Sequence, residues 1–366
     1  MPDGVPTQSN PYRSFEKQED IIHALQKPLL DRPDVPLIRF PEGAESAHPF
    51  VGGSAPAFKR LKHILSSGAA SKYKDTRNEM LGTDFSTKLS AYLAHGCISS
   101  GQIHKELEEW EEKYNRGQEN KGTAAIRFEL LWRDYMRLCL EKYKSSFFHL
   151  YGFNSNKDKN HTPKEEWKSP YSDSGAQKTF QRWLSGKTST GLIDASQREL
   201  LLTGYISNRA RQNTASFLAA RLRIDWRLGA EWFESMLVDY DCASNWGNWA
   251  YVAGVGNDPR AGRMFNPVKQ SHDYDPEGSY IRAWVEEVRD VESVSCVWQM
   301  WKLPKDQRDR LKIMEPLVRI NWDDRKQQGK GSRGRNQNNS ADKVPSDKKP
   351  KNRNHSNYRQ GSRPLD

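Results

Sequence analysis

The sequence has few cysteines and no long apolar run, and each absence excludes a class of protein. The four cysteines, Cys97, Cys139, Cys242 and Cys296, show no Cys-x-x-Cys spacing and no histidine at metal-ligand spacing. We therefore expect no disulfide and no metal site, but reduced thiols in an intracellular protein. The first thirty residues are polar and broken by proline, which predicts neither a signal peptide nor a membrane span. A nuclear, cytoplasmic or organellar location stays open, and we expect no membrane partner and a monomer.

Alternating apolar and polar runs, the pattern of β-strands, are also missing, and helical periodicity dominates instead. Phe128, Leu131, Trp132, Tyr135 and Cys139 follow one another at three- and four-residue steps, which indicates a helix with one buried face. The 35% hydrophobic content with twelve tryptophans can build a real core. The fold is predicted to be all-α, with a proline-rich linker over 1–50 and a helical domain over 51–324.

Residues 325–366 carry almost all of the net charge of +10. This segment has twelve Lys or Arg against three Asp or Glu and almost no apolar residues. Too little apolar surface is available to offset the entropy of ordering, so we predict a disordered basic tail. It is either a solubilising extension or a salt-sensitive arm for DNA or RNA.

A glycine-rich dinucleotide loop is absent, but the segment from Gly191 to Trp284 combines Arg, Asn, Asp and Trp in unusual spacings. It contains Leu-Thr-Gly-Tyr-Ile-Ser-Asn-Arg-Ala-Arg-Gln-Asn, Asp-Trp-Arg-x-Gly-Ala-Glu-Trp-Phe and Asn-Trp-Gly-Asn-Trp-x-Tyr-Val-Ala-Gly-Val-Gly-Asn-Asp. These motifs closely resemble the FAD-binding core of the photolyase/cryptochrome family, and within it the DASH cryptochromes. The resemblance extends from about residue 52 to 322 and implies a helical FAD-binding domain.

The resemblance implies a set of cofactor-binding residues, each of which has a purely structural alternative. Ser86-Thr87-Lys88-Leu89-Ser90 resembles a phosphate-binding segment, although such a segment is more often a helix cap. Two acids in a turn, as at Asp239 and Asp241, also often cap a helix. The implied FAD-binding residues are Tyr73, Ser86, Thr87, Lys88, Leu89, Ser90, Arg133, Asn208, Arg211, Asp239, Asp241 and Asn245.

The resemblance also implies a substrate site and an electron-transfer chain. Glu129 and Trp132 would face the substrate base, although Glu129 and Arg133 could instead form an i,i+4 ion pair. Asn245 would face flavin N5, where its amide can turn to accept or donate. The implied substrate residues are Glu129, Trp132, Asn208, Gln212 and Tyr251, and the implied catalytic residues are Glu129, Trp132, Trp249, Trp226 and Asn245. Trp249 and Trp226 would start the electron chain, with Trp167, Tyr171 and Trp183 as candidates for its third member.

Two functions fit these residues. The first is an enzyme of the photolyase type, in which light-excited reduced FAD repairs cyclobutane pyrimidine dimers in single-stranded DNA. Tyr251 and Gln212 favour single strands, because they replace the Trp and Met that duplex photolyases use around the flipped lesion. The second is a non-catalytic blue-light photoreceptor or nucleic-acid-binding protein, or a truncated form. The chain opens on residues that resemble the connector after the family's antenna domain, which leaves a folate-type antenna cofactor without its domain.

Overall fold

A computed structural model describes residues 40–152, 167–257 and 264–322. The chain divides into two units, Met1–Trp322 and Asp323–Asp366, and every described residue belongs to the first. The predicted tail over 325–366 and residues 1–39 of the predicted linker lie outside the described residues. Residues 40–51 lie against the helices, because the Tyr92 hydroxyl donates to the Val51 carbonyl and Phe40 packs on Trp284.

The prediction of an all-α fold is confirmed. The described ranges contain no β-strand, only the two isolated bridges Lys168–Ile224 and Thr190–Gln299. The helices are α1 (Ser54–Ser66), α2 (Ala69–Thr76), α3 (Ser90–Ala94), α4 (Ser100–Tyr114), α5 (Lys121–Tyr143), α6 (Ser174–Leu184), α7 (Gly191–Thr203), α8 (Asn208–Ser216), α9 (Trp226–Met236), α10 (Cys242–Ala253), α11 (Pro267–Tyr274), α12 (Ser279–Trp284), α13 (Val294–Trp298) and α14 (Lys305–Arg310). A π-helical turn, Phe217–Leu222, continues α8, and short 3₁₀ turns occupy Lys144–Phe148, Glu286–Val288 and Met300–Lys302.

Local chemistry fixes where the helices around the site begin and end. Asn120 caps α5, since its side chain accepts from the backbone N–H groups of Gly122 and Thr123. Gly204 ends α7 in the left-handed conformation, as its position in the sequence predicts. The spacing of Asp194 and Gln197 in the sequence predicts a capping pair, but the two residues do not cap α7. Asp194 is buried inside α7, where its carboxylate accepts from the backbone of Thr188 and Ser189.

Helix α10 packs between α5 and α9, and two glycines allow that close approach. A Cβ atom on Gly229 of α9 would lie 2.2 Å from the Trp249 ring. A Cβ atom on Gly247 of α10 would lie 2.6 Å from the Met136 sulfur on α5. Both distances are shorter than atoms tolerate, so a larger residue at either position would push α10 away from its neighbours. The two glycines therefore set the position of Trp249.

The apolar stripe of α5 that the periodicity predicts to be buried is mostly exposed. Of the five residues in the predicted stripe only Cys139 is buried, whereas Phe128, Leu131 and Tyr135 are 59%, 66% and 41% exposed. The other side of the helix faces inward and carries Glu129 and Arg133, which line a cavity. The fully buried residues of α5 are still mainly apolar, among them Ile126, Met136 and Cys139, while Glu129 and Arg133 are half-buried because they line the cavity.

The described residues show neither a membrane helix nor a metal cluster. None of the described helices has the length and apolar character needed to cross a bilayer. Within the same ranges, no group of three or more His, Cys, Asp or Glu side chains is placed to hold a metal ion. All four cysteines are free thiols.

Candidate functional site

A cavity of about 590 Å³ lies in the middle of the helices. Its walls come from α2, the segment 85–90, α3, α5, α8, the turn after α9, and α10. The volume lies within the range of sites for cofactors and small molecules. The helices that contribute most of the wall are those that carry the motifs singled out in the sequence.

The cavity brings together every predicted site residue except Trp226. Trp226 is fully buried in the neighbouring core. The predicted residues that line the cavity are Tyr73, Ser86, Thr87, Lys88, Leu89, Ser90, Glu129, Trp132, Arg133, Asn208, Arg211, Gln212, Asp239, Asp241, Asn245, Trp249 and Tyr251. Residues up to 178 positions apart in the sequence thus share one site.

One end of the cavity is formed by the loop 86–90 and is positively charged. Arg60 holds this loop from behind, because its guanidinium donates to the carbonyl oxygens of Thr87 at 3.0 Å and Ser86 at 3.1 Å. Helix α3 begins at Ser90, where a helix start was predicted. It has only five residues, so its dipole is small, and the local positive charge comes from Lys88.

Lys88 is 1% exposed and lies between two aromatic rings. Its Nζ is 3.4 Å from the Phe85 ring centroid and 3.4 Å from the Tyr205 hydroxyl. Burial lowers the pKa of Lys88 to about 7, although the charge of Glu199 acts in the opposite direction. Glu199 is itself buried, which raises its pKa to about 8, and it accepts a 2.6 Å hydrogen bond from Tyr280. The cavity therefore contains a cation that a bound anion would stabilise.

Arg211 of α8 and Asp239, in the turn after α9, form an ion pair in the cavity wall. The Arg211 guanidinium donates to both carboxylate oxygens of Asp239, at 2.8 and 3.0 Å. Burial is the largest influence and would raise the pKa of Asp239, but the charge of Arg211 and the hydrogen bonds from Arg211 and Ser90 together outweigh it, so the pKa is lowered. Arg211 also donates to the Ile206 carbonyl, which fixes its direction. Asp239 is thus a permanently ionised acceptor in the cavity wall.

Asp241 caps α10 and also binds arginines of α5. It therefore has the helix-capping role that was the alternative to cofactor binding, and it lines the cavity as well. Its Oδ1 accepts from the backbone N–H of Ser244, and its Oδ2 lies 3.0 Å from Arg137 and 3.8 Å from Arg133. Arg133 in turn donates to the Leu93 carbonyl. These bonds tie α5, α3 and α10 together around the cavity.

The amide of Asn245 has a fixed orientation. Its Nδ2 donates to the Ala230 carbonyl at 2.9 Å, on the neighbouring helix α9. The remaining amide atom, Oδ1, is an acceptor only. The amide was expected to turn either way, and this hydrogen bond selects one of the two orientations. Gln212 is held in a similar manner, since its Oε1 accepts from Arg209.

Aromatic rings surround the mouth of the cavity. Trp132 stacks on Tyr135 at 5.2 Å and 30° and meets Tyr251 edge to face at 6.4 Å. Glu129 lies beside Trp132 and pairs with Arg77 rather than with Arg133. The i,i+4 alternative for Glu129 is therefore wrong. Burial, together with the Glu129 charge, raises the pKa of Tyr73 to about 12, so this phenol stays protonated.

Indoles of the core form two contacting pairs, Trp249 with Trp183 and Trp226 with Trp246. Trp249 lines the cavity and lies 6.4 Å from Trp183, ring centroid to centroid. Trp226 belongs to the same core cluster, and its Nε1 donates to the Leu150 carbonyl. Of the candidates for the third member, Trp183 is fully buried, Trp167 is half-buried against this cluster and Tyr171 is 86% exposed.

Several residues in or next to the cavity wall were not predicted from the sequence. Arg77 could have been found, because it follows Tyr73 by one helical turn. Arg60 gave no signal, since a single arginine on an amphipathic helix is ordinarily exposed. The remaining missed residues are Phe85, Leu93, Arg137, Glu199, Tyr205, Phe233, Tyr240 and Asn248.

The chain is similar to flavoproteins of known family. Residues 126–327 match the family model described as the FAD binding domain of DNA photolyase. A cryptochrome DASH of Danio rerio is 47% identical over 251 residues, which are 68% of this chain and 45% of that protein. The crystal structure of a Synechocystis cryptochrome matches with a TM-score of 0.67 and 40% identity, over 79% of this chain and 57% of the other. A class III photolyase of Agrobacterium tumefaciens matches with a TM-score of 0.62 and 27% identity, over 76% of this chain and 55% of the other.

The chain spans about half the length of the curated relatives that it matches. The matched part contains α5 to α10 and therefore most of the cavity wall. On this evidence, the chain belongs to the photolyase/cryptochrome family, carries the FAD-binding domain of that family and is similar to its DASH-type cryptochromes.

Proposed function

We propose that this protein uses FAD and blue light to split cyclobutane pyrimidine dimers in single-stranded DNA. The observation that carries the proposal is one cavity with a cationic end, a wall of fixed acceptors and an aromatic mouth. When bound in its reduced form and excited by light, FAD supplies one electron to the dimer and regains it after the ring opens. The protein contributes binding, orientation and the exclusion of water.

The cation, hydroxyl groups and acceptor in the cavity wall match the chemical groups of FAD. Lys88 is a buried cation, and among the described residues no carboxylate forms an ion pair with it. It therefore suits a pyrophosphate. The hydroxyls of Ser86 and Ser90 lie in the same wall and can donate to the same anion. Asp239 accepts hydroxyl or ring N–H groups, because Arg211 keeps it ionised.

Asn245 favours the reduced cofactor. Its Oδ1 is the amide atom left free by the Nδ2 bond to Ala230, so it accepts a hydrogen bond and cannot donate one. By resemblance this amide faces flavin N5, which carries a hydrogen in the reduced flavin. An acceptor at that position stabilises the reduced ring. This is the state that a repair reaction needs as its electron donor.

The mouth of the cavity suits an unpaired strand. Trp132 and Tyr251 form two sides of the opening, and Glu129, held by Arg77, lies between the mouth and the interior. Outside the mouth, α5 presents Phe128 and Tyr135 stacked on Trp132. Exposed aromatic faces bind unstacked bases, at roughly 1–3 kcal/mol per base. A dimer in a single strand enters without the cost of opening a duplex.

The test compares repair in single strands with repair in duplexes. The FAD-loaded protein should remove dimers from a single-stranded oligonucleotide much faster than from the same sequence in a duplex. The double variant Gln212→Met with Tyr251→Trp should raise the duplex rate, because it restores the bulkier residues of duplex enzymes. Equal rates of the parent protein on both substrates would refute the single-strand preference.

A second function, a photoreceptor that binds nucleic acid, is favoured by the basic segment 325–366. Its nucleic-acid affinity should change with light, while dimers remain intact. Removal of residues 325–366 should then weaken binding mainly at low salt, since phosphate contacts are screened. Binding that is independent of light, together with repair, would eliminate this second function.

A further inference from the structure

Trp246 has a hydrogen-bond partner that sets it apart from the other indoles near the cavity. Its Nε1–H donates to the carboxylate of Glu234 at 3.0 Å. The indole N–H groups of Trp226, Trp232 and Trp298 donate instead to carbonyl or amide oxygens. Within the described ranges, the buried Nε1 atoms of Trp167, Trp183 and Trp249 have no acceptor. Of the indoles named here, only that of Trp246 is bonded to a base.

Trp246 is also placed to receive an electron hole from the chain. Its ring lies 5.8 Å from that of Trp226, edge to face, and it precedes Trp249 by three residues on α10. Residues three apart are neighbours on one side of a helix. Trp246 is 8% exposed, whereas Glu234, on α9, is exposed to water. The pair thus connects the buried indoles with the solvent.

We propose that Trp246 and Glu234 form the proton-coupled end of a branch of the electron chain, a role that rests on the proposed function. By resemblance an electron leaves Trp249 for the photoexcited oxidised flavin and Trp226 replaces it. Trp246, whose ring lies 5.8 Å from that of Trp226, then replaces the electron lost by Trp226. The oxidised indole of Trp246 is a far stronger acid than neutral indole. Its Nε1 proton moves to Glu234 Oε2, which leaves a neutral indolyl radical and a protonated carboxyl group.

This proton transfer prevents the electron from returning. The neutral radical can take the electron back only together with a proton, and the exposed carboxyl group of Glu234 releases its proton to water. An external reductant then supplies one electron to Trp246, and a proton taken up from water by Glu234 passes to the indole nitrogen. Tyr240, which lies beside Glu234 and Cys242, stays a protonated phenol because burial and these two neighbours raise its pKa.

The first experiment follows the radicals by transient absorption after a blue flash on the full chain loaded with oxidised FAD. The parent protein should form a neutral indolyl radical, which has a spectrum different from that of the radical cation. Glu234→Gln should leave the radical cation, because an amide does not take up the proton, and should shorten the life of the charge-separated state. Trp246→Phe should remove the neutral radical. Trp232→Phe is the matched control, because Trp232 is an indole of α9 bonded to an amide, and it should change nothing.

A second measurement needs neither flavin nor light. The indole N–H resonance of Trp246, identified by its loss in Trp246→Phe, should lie downfield in the parent protein, because this N–H donates to a carboxylate, and Glu234→Gln should move it upfield. A parent protein that reduces its flavin in light, with the same radical and lifetime in both variants, overturns this inference alone. A parent protein that binds FAD but forms no radical overturns the proposed function and the branch with it.

Discussion

Lys88 should make the affinity for FAD depend on pH. In the free protein burial lowers the pKa of Lys88 to about 7, and in the complex the pyrophosphate charge should raise it again. Binding then takes up a proton. The affinity for FAD is therefore highest below the pKa that Lys88 has in the free protein. It falls as pH rises above this value and levels off at the pKa that Lys88 has in the complex.

The size of this effect follows from the charged fraction of Lys88. With a pKa of about 7, about 90% of the free protein carries the ammonium at pH 6 and about 1% at pH 9. If the complex stays charged throughout, the affinity falls about 90-fold over this range, or about 2.7 kcal/mol. Fluorescence titration of the free protein with FAD at a series of pH values measures it.

Three variants of the same region separate Lys88 from other titrating groups. Lys88→Arg keeps a positive charge at every pH and should give a nearly flat profile. Lys88→Met should bind FAD weakly at every pH. Glu199→Gln removes the charge that Glu199 carries as pH rises through its own pKa of about 8; because that charge raises the pKa of Lys88, the loss of affinity should be complete at lower pH. An unchanged pH profile in Lys88→Arg would refute the assignment of the proton to Lys88.

The other predictions concern the mouth, the indoles and the packing of α10. Glu129→Gln should leave FAD bound but lower the rate of dimer loss about tenfold, since a hydrogen bond to a charged group contributes roughly 1.5–3 kcal/mol; an unchanged rate would remove Glu129 from the substrate site. Trp249→Phe and Trp226→Phe should each slow photoreduction of FAD by an external reductant, and parent rates in both would disprove the chain. Gly229→Ala should lower stability by about 1–3 kcal/mol through its clash with the Trp249 ring, measured as Tm. Gly52→Ala, whose Cβ meets nothing within 4 Å, should leave Tm unchanged.

The motifs predicted which residues line the cavity better than the periodicity predicted which residues are buried. The cavity collects residues from Tyr73 to Tyr251 because each motif carries side chains that a core would not use. The stripe Phe128, Leu131 and Tyr135 was assigned to the core because apolar residues at helical spacing are ordinarily inside. In the structure the buried residues of α5 are Ile126, Met136, Cys139 and their small neighbours, and Glu129 and Arg133 line the cavity beside them.

The features that could not be predicted depend on contacts between distant segments. The pairing of Glu129 with Arg77 and the burial of Lys88 between Phe85 and Tyr205 follow from how the helices pack. The fixed amide of Asn245 depends on the carbonyl of Ala230 on another helix. No local pattern in the sequence encodes such contacts. The proposed electron chain also depends on such contacts. The sequence did not decide its third member, and only the structure shows that Trp246 bonds to Glu234.

The central claim is that this cavity repairs a dimer with light. The most direct measurement is the loss of cyclobutane dimers from a single-stranded oligonucleotide, followed with the FAD-loaded, reduced protein under blue light and in the dark. The account predicts dimer loss in the light over many turnovers and none in the dark. A protein that holds reduced FAD and binds the oligonucleotide, yet leaves the dimers intact in the light, would contradict it.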